Sequence, residues 1–304
     1  MSNLLQYRLG VDTVGSGGET AASDSSMARI VSREVLAKLV AKAREIRKSI
    51  LTMVYEADSG HIGGSFSSVE IVVALYYGAL RQKPSSPKWR DRDRFILSKG
   101  HCAPVVYAIL ADLGYFPATD LSGFRHPGSH LQGHPYHLKT PGVEASTGTL
   151  GLGLSTSLGM ALGAKLKGES HYYYVLCGDG ELQEGQIWEA AMFGNKFRLD
   201  NVIAFVDRNR RQTDGDTEAV MPLDPLPSKW LAFGWNVFEI DGHDFSQILE
   251  VIERAKRCKG KPTMVIANTV KGKGVSFMEN RDEWHSGAPN PEQWRHALEE
   301  LNAL

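Results

Sequence analysis

The sequence predicts an α/β fold in which a parallel sheet is covered by helices on both faces. Short apolar segments alternate with amphipathic segments along most of the 304 residues. This alternation is typical of parallel sheets, because each crossover helix packs on one face of the sheet. Hydrophobic residues make up 42% of the chain, which is sufficient for one large core or two small ones. The sequence contains no internal repeat, coiled-coil heptad or interior linker that would divide the domain.

The N-terminal part contains two kinds of segment. Residues 1–28 are rich in Gly and Ser, so we expect a flexible leader there, followed by one domain over residues 29–304. From Ser32, apolar residues recur every three or four positions as far as Val54, which predicts a long amphipathic helix. The elements predicted next are a helix at 69–80, a surface loop at 84–94 and a strand at 94–97.

The middle of the chain is unusual in composition. Residues 114–148 are rich in Gly, Pro and His without a sustained period, which indicates a long structured loop that carries function. Small residues then dominate residues 150–165, which predicts a helix that packs very close to its neighbour. The apolar strand at 172–177 and the turn Gly178-Asp179-Gly180 follow.

The remaining segments continue the alternation of strands and helices. The predicted elements are a helix at 183–197, strands at 202–206, 235–240 and 263–267, a helix at 245–257 and an amphipathic helix from Pro291 through Leu301. The strand at 172–177, the helix after it and the strand at 202–206 form one β-α-β unit.

The charge balance excludes several classes of partner. With 34 basic and 35 acidic side chains the net charge is −1, so we expect neither nucleic acid nor an anionic membrane as a partner. The three cysteines have no CxxC spacing, and no apolar run is long enough to span a bilayer. A cytoplasmic protein that acts on a small molecule is therefore expected.

The strongest chemical signal is the pair Asp179 and Asn209. Each follows a strand of the same right-handed crossover, so both side chains are expected at one edge of the sheet. Carboxylate and amide oxygens suit Mg²⁺ or Ca²⁺ rather than Zn²⁺. The flanking Gly178 and Gly180 would allow a tight turn and leave room for a diphosphate. Taken alone, however, Gly-Asp-Gly is more commonly a simple turn that ends a strand.

Gly178-Asp179-Gly180 followed thirty residues later by Asn209 resembles the signature of thiamine diphosphate enzymes. The runs 178–193 and 199–209 are similar to the transketolase branch of that class. Six further motifs occur in the order of that family, namely Ser59-Gly60-His61, Ser98-Lys99-Gly100-His101, Gly133-His134-Pro135, Pro141-Gly142-Val143-Glu144, Thr147-Gly148-Thr149-Leu150-Gly151 and Lys271-Gly272-Lys273-Gly274. The resemblance covers about residues 35–290, nearly the whole chain.

This resemblance implies thiamine diphosphate as the cofactor, bound through Mg²⁺, with Ca²⁺ or Mn²⁺ as alternative ions. Asp179, Asn209 and the backbone carbonyl of Arg211 would bind the ion. The residues that would contact the diphosphate are His101, Lys271 and His285, and those that would contact the cofactor's rings are Gly148 and Leu150. Lys99 is equally compatible with a substrate contact and with a structural salt bridge.

The resemblance also implies a catalytic group of histidines. His61, His101 and His134 are similar to residues that line the substrate channel, and His285 joins them in the predicted set. Imidazoles near neutral pKa bind sugar hydroxyls and move protons. Glu184 and Glu189 correspond to acids at the subunit interface of the family. Their alternative interpretation is a solvated helix face.

In the transketolase family a second domain supplies the glutamate that activates the cofactor, and this sequence ends without it. Either the chain is a fragment, or a second polypeptide carries the pyrimidine-binding and C-terminal domains. The second interpretation implies a split transketolase with two copies of each chain. The reaction would transfer a two-carbon ketol unit from a ketose or ketose phosphate to an aldose-type acceptor.

Several positions depart from the family pattern, namely Ile62, Leu152, Ser286 and the loop Arg210-Arg211-Gln212-Thr213. They favour a specialised donor or acceptor. The alternatives are a subunit of a deoxyxylulose-phosphate-synthase-like or 2-oxo-acid-dehydrogenase-like enzyme, or a non-catalytic scaffold that holds the cofactor. A nicotinamide-binding Rossmann protein is disfavoured because no strand-linked G-x-G-x-x-G is present.

Overall fold

The computed structural model describes residues 32–303, so the predicted leader at 1–28 lies outside the described residues. The strands, in chain order, are β1 (Arg94–Leu97), β2 (Tyr173–Gly178), β3 (Val202–Arg208), β4 (Arg211–Gln212), β5 (Gly215–Asp216), β6 (Asn236–Asp241) and β7 (Thr263–Asn268). Five of them form one sheet in the order β1-β2-β3-β7-β6, and every neighbouring pair is parallel. The short strands β4 and β5 form a separate antiparallel ribbon.

Ten α-helices surround the sheet within residues 32–303. They are α1 (Arg33–Glu56), α2 (Ile62–Ser67), α3 (Val69–Ala74), α4 (Ala103–Asp112), α5 (Leu152–Leu166), α6 (Gly185–Lys196), α7 (Thr217–Val220), α8 (Leu226–Ala232), α9 (Phe245–Arg257) and α10 (Pro291–Ala303). The helix predicted at 69–80 is α3 followed by a wider π-type turn, Leu75–Ala79. None of the described helices is long and apolar enough to cross a bilayer.

The sheet has a hydrophobic core on each face. Tyr174, Leu176 and Phe205 point to the side covered by α1, α4, α9 and α10. Their strand neighbours, among them Val175 and Ala204, point to the side covered by α5, α6 and α8. Alternate residues of one strand therefore serve two cores, which is why each strand is a continuous apolar run in the sequence. The predicted fold class, a parallel sheet with helices on both faces, is confirmed.

The helix α4 has no counterpart among the predicted elements. All of its residues except Asp112 are buried. A helix that is apolar on every side lacks the periodic polar face by which amphipathic helices are detected. Burial on all sides therefore explains why the pattern gave no signal there.

The glycines of α5 divide into two groups. A Cβ on Gly153 would lie 2.5–2.7 Å from atoms of Ser98, including its backbone Cα, so the predicted close packing holds at this position. At Gly159 and Gly163 a Cβ would meet nothing within 4 Å among the described residues. The prediction of tight packing is therefore wrong for these two glycines, because their side of the helix does not contact another element of the described chain.

Candidate active site at the carboxyl edge of the sheet

The two predicted metal ligands lie at one edge of the sheet. The strands β2 and β3 pair directly, with Gly178 opposite Asp207. The Asp179 Oδ2 atom accepts a hydrogen bond of 2.5 Å from the backbone N–H of Arg210, the residue that follows Asn209. Both Asp179 and Asn209 are buried. The chain thus places a carboxylate beside the loop that carries the amide, as the crossover argument requires.

Burial works against the charged form of Asp179. It raises the pKa of this carboxyl to about 6, with a further contribution from the negative charge of Asp207. The buried guanidinium of Arg208, 3.4 Å from Asp179 Oδ2, and the backbone N–H groups of Arg210 and Gly180 partly oppose this effect. A divalent cation at this position would favour the carboxylate further, so the electrostatics suit an added cation.

The glycines beside Asp179 provide space. Neither Gly178 nor Gly180 has a positive φ, so the turn itself does not demand glycine. A Cβ on Gly180 would lie 3.1 Å from the Cβ of Gln212, and one on Gly178 would lie 3.4 Å from the Cδ of Lys99. A side chain at Gly180 would therefore crowd Gln212, whereas the backbone at neither position requires glycine. The predicted room for a diphosphate stays a prediction.

Lys99 forms a buried salt bridge. Its Nζ lies 2.5 Å from Asp207 Oδ2 and 3.0 Å from the carbonyl oxygen of Gly64. Burial alone would lower the pKa of Lys99, but the charge of Asp207 raises it overall. Of the two interpretations left open for Lys99, the geometry favours the structural one.

The four predicted catalytic histidines form one cluster. The ring centroid of His61 lies 5.1 Å from that of His101, 6.5 Å from that of His134 and 5.5 Å from that of His285. Burial is the main cause that lowers all four pKa values, and neighbouring positive charges add to it. The pKa is about 4 for His61 and His101 and about 3 for His285. These three rings are therefore neutral near pH 7 and can donate and accept hydrogen bonds.

Lys271 is a buried cation beside this cluster. Its side chain is 1% exposed, and its Nζ lies 3.0 Å from His285 Nδ1. Within residues 32–303 no carboxylate lies within ion-pair distance of it. Burial lowers the pKa of Lys271, which reflects the cost of an ammonium removed from water without a counter-ion. An anion at this position would offset that cost.

The backbone around Lys271 is fixed by glycines. The N–H of Gly272 donates to the carbonyl oxygen of Gly63, at 3.0 Å. Gly272 has a φ of +76°, and a Cβ there would lie 2.3 Å from the carbonyl oxygen of Met278. Only glycine fits both constraints, so the motif around Lys271 has a steric basis.

The remaining predicted contacts surround the cluster. A Cβ on Gly148 would lie 3.4 Å from the ring of His134, so this glycine lines the same space. Leu150 is partly buried in the turn two residues before α5. The Arg211 side chain lies 3.5 Å from Asp282 and so connects the loop after Asn209 to the turn Asp282–His285. Glu184 and Glu189 are exposed at the beginning and in the middle of α6, which fits both interpretations given for them.

Sequence reasoning missed the buried acid Glu181. Its Oε1 accepts hydrogen bonds from the Ser98 hydroxyl (2.5 Å) and the Gly151 N–H (2.9 Å), and its Oε2 accepts one from the Gly178 N–H (3.0 Å). One carboxylate thus joins three segments that carry predicted site residues. Its position two residues after Asp179 was visible, but nothing in the sequence showed that it would be buried.

Asp207 was also missed as a site residue. It is fully buried and accepts hydrogen bonds from Ser67, Thr269 and Asn209 as well as from Lys99. Asn209 directly follows β3, and residues two apart in extended backbone share a face, so the proximity of Asp207 to Asn209 was available from the sequence. No group of three or more His, Cys, Asp or Glu within residues 32–303 is arranged to hold a metal by itself. A metal at Asp179 would therefore depend on amide, carbonyl and ligand oxygens.

Comparison with known proteins gives one consistent family. A family model described as "Transketolase, thiamine diphosphate binding domain" matches residues 38–300. The 6-deoxy-6-sulfo-D-fructose transketolase subunit SqwG of Clostridium sp. (strain MSTE9) is 45% identical over 86% of this chain and 94% of its own. An apulose-4-phosphate transketolase subunit of Phocaeicola vulgatus is 43% identical over 84% of this chain and 91% of its own.

A solved structure of transketolase from Leishmania mexicana superimposes with a TM-score of 0.83 at 32% identity. The match covers 87% of this chain but only 41% of that one. The chain therefore corresponds to one part of the Leishmania mexicana transketolase and to nearly the full length of the similar Clostridium and Phocaeicola vulgatus subunits.

Proposed function

Because the chain belongs to the transketolase family, as its thiamine diphosphate-binding domain, we propose that it is the diphosphate-side subunit of a two-chain transketolase. The observation that carries this proposal is the pairing of two oxygen donors with a buried cation that lacks a carboxylate partner in the described chain. Asp179 and Asn209 supply the oxygens at the sheet edge. Burial lowers the pKa of Lys271, and Lys271 lies near enough to Asp179 for the negative charge of Asp179 to oppose this effect. A magnesium-bound diphosphate is a ligand that satisfies both features.

Different residues are proposed to contact the metal ion, the diphosphate and the rings of the cofactor. Asp179, Asn209 and the backbone carbonyl of Arg211 would hold Mg²⁺, for which Ca²⁺ or Mn²⁺ are alternatives. The residues proposed to contact the diphosphate are Lys271, His101 and His285, and those proposed to contact the cofactor's rings are Gly148 and Leu150. Thiamine diphosphate supplies a carbon nucleophile that breaks and forms bonds beside a carbonyl group.

The histidine cluster is proposed to bind the sugar and to move its protons. The low pKa values of His61 and His101 keep both rings neutral, so each can accept a proton at one nitrogen and donate from the other. His61 Nδ1 is buried and has no hydrogen-bond partner among the described residues. A substrate hydroxyl at that atom would satisfy it, which supports a place for His61 in the substrate channel.

A second polypeptide is proposed to complete the site. The chain covers nearly all of two relatives that are named subunits, yet only 41% of the longer transketolase. We propose that the partner carries the pyrimidine-binding and C-terminal domains, in an assembly with two copies of each chain. In that assembly the exposed Glu184 and Glu189 would lie at the interface.

The proposed reaction transfers a two-carbon unit from a ketose to an aldose. The two subunits are named for 6-deoxy-6-sulfo-D-fructose and for apulose-4-phosphate. Both names describe a sugar that bears an anionic group, and we propose a donor of this class. The three cysteines are free thiols, which suits the reducing cytoplasm where we place the enzyme.

The proposal is tested by mixing the purified chain with thiamine diphosphate and Mg²⁺, with and without the candidate partner. We expect weak cofactor binding by the chain alone and ketose consumption only with both chains. The Asp179→Ala variant should lose cofactor retention in either case. Turnover by the chain alone would refute the split site. Decarboxylation, or acyl transfer to lipoamide, would identify one of the other thiamine diphosphate reactions instead.

A further inference from the structure

The side-chain amide of Asn209 is held from both ends. Its Nδ2 donates hydrogen bonds to Asp207 Oδ2 at 3.0 Å and to Ser67 Oγ at 3.3 Å. Its Oδ1 accepts one from the backbone N–H of Arg211, at 3.0 Å. The Asp179 Oδ2 atom contacts the neighbouring N–H of Arg210, so the two oxygens face the same loop.

The surroundings of Asp207 leave only one orientation for that amide. Asp207 already accepts hydrogen bonds from the Lys99 ammonium at 2.5 Å and the Ser67 hydroxyl at 2.6 Å, and its other oxygen accepts from Thr269. A carboxylate surrounded by donors has no proton to offer, so it would repel the amide oxygen of Asn209. Rotation of the amide by 180° would also place its NH₂ group against the Arg211 N–H, donor against donor.

On the basis of the proposed function, we infer that Asp207 is a positioning residue that fixes Asn209 with its oxygen toward the metal position. An amide binds Mg²⁺ only through oxygen, and an amide free to rotate would spend part of its time with nitrogen in that place. Lys99 contributes by balancing the charge that Asp207 carries inside the protein. The buried pair thus determines which atom of Asn209 is available.

An exchange of the two side chains tests this inference. Asp207→Asn replaces a carboxylate that can only accept by an amide that can present either oxygen or NH₂ to Asn209, and it leaves Lys99 without its counter-ion. Asn209→Asp places two carboxylates about 3 Å apart. The exchange variant Asp207→Asn/Asn209→Asp keeps the net charge. Its new amide can donate its NH₂ group to the new carboxylate and accept from Thr269 through its oxygen, which leaves a carboxylate oxygen for the metal.

The measurement is the Mg²⁺ affinity of the full-length chain at a fixed thiamine diphosphate concentration, followed by calorimetry. Each single variant should weaken Mg²⁺ binding by about 10- to 100-fold, the usual range for groups that orient a metal ligand. The exchange variant should regain at least about tenfold of that loss. Weaker Mg²⁺ binding by Asn209→Asp would support the inference, because an added carboxylate would otherwise be expected to strengthen Mg²⁺ binding.

Urea unfolding without metal or cofactor distinguishes a loss of Mg²⁺ affinity from a loss of stability. Asp91→Asn is the matched control, because Asp91 is exposed. A folded Asp207→Asn variant with wild-type Mg²⁺ affinity would overturn the inference, as would a folded exchange variant no better than the single variants. If the exchange variant does not fold, Lys99→Met/Asp207→Asn removes both buried charges and should show the same 10- to 100-fold loss. Wild-type affinity in that pair would also overturn it. Cofactor binding by the wild type without any need for Mg²⁺ would instead refute the proposed function.

Discussion

At Lys271, stability and binding are in opposition. The ammonium is buried beside His285 without a carboxylate partner in the described part of the chain, so folding bears an electrostatic cost at this position. An anion would bind favourably at this position, because the Lys271 ammonium is already removed from water and held in place. If Lys271 serves binding rather than stability, removal of its charge should lower cofactor affinity without lowering the free energy of unfolding.

We therefore predict opposite effects for Lys271→Met. Thiamine diphosphate affinity should fall about 10- to 100-fold, because a hydrogen bond to a charged group contributes about 1.5–3 kcal/mol. The free energy of unfolding of the cofactor-free chain should stay the same or rise. Calorimetry and urea unfolding measure the two quantities. Lys273→Met is the control, since Lys273 is partly exposed and pairs with Glu279. Normal affinity in Lys271→Met would exclude Lys271 from the diphosphate site.

The histidine cluster predicts a pH dependence of stability. An ordinary histidine has a pKa of 6.5, but in the folded chain the values for His61 and His101 are about 4. Between these two limits the unfolded chain binds more protons than the folded one, so stability is fully present above pH 6.5 and is lost as the pH falls towards 4. For the deeply buried His101 the slope reaches at most about 1.4 kcal/mol per pH unit.

Urea unfolding of the cofactor-free chain at about pH 7 and about pH 5 measures this slope. The His101→Asn variant should be less sensitive to pH than the wild type, since one of the depressed titrations is gone. His126→Asn, at an exposed position, is the control and should leave the slope unchanged. Equal slopes in His101→Asn and the wild type would show that the ring of His101 titrates normally in the folded protein.

At the scale of one helix, α5 offers a matched pair of substitutions. Gly153→Ala would push a methyl group against the backbone of Ser98, and we expect a loss of about 1–3 kcal/mol in the free energy of unfolding. Gly159→Ala enters open space, so the higher helix propensity of alanine should stabilise the isolated chain by about 0.5–1 kcal/mol. Thermal or urea unfolding of both variants measures these changes in the free energy of unfolding. Effects of the same sign would contradict the division of α5 into a packed and an open part.

The elements show where sequence patterns carry information. The strands β2 and β3 were predicted within two residues at each end, because apolar runs bounded by turns define buried strands. The proximity of Asp179 to the Asn209 loop followed from crossover geometry alone. The role of Lys99 depended on the acid it meets across the fold, and such a contact is fixed by tertiary packing. Glu181 was missed for the same reason, since two of its three donors, on Ser98 and Gly151, come from distant segments.

At the scale of the whole molecule, α5 and α6 share an outer surface, which we call the α5–α6 surface and define by Leu152, Gly159, Gly163, Glu189 and Met192. Leu152 is 46% exposed and Met192 is 55% exposed. The two helices are connected by a hydrogen bond of 2.8 Å from Gln186 to Ser155. Glycines with open space around them allow another backbone to approach closely, and exposed apolar side chains favour a protein contact. The proposed assembly would cover this surface.

The final prediction tests that surface. Met192→Lys should lower the mass of the assembly formed with the partner chain, because a desolvated ammonium in an apolar interface is costly. The unfolding free energy of the isolated chain should change by less than about 0.5 kcal/mol, since an exposed side chain contributes little to the fold. Light scattering on the separated complex measures the mass. Leu231→Lys is the control, because Leu231 is 58% exposed on α8, outside the α5–α6 surface. An assembly of full mass in Met192→Lys, or an equal loss in Leu231→Lys, would place the interface elsewhere.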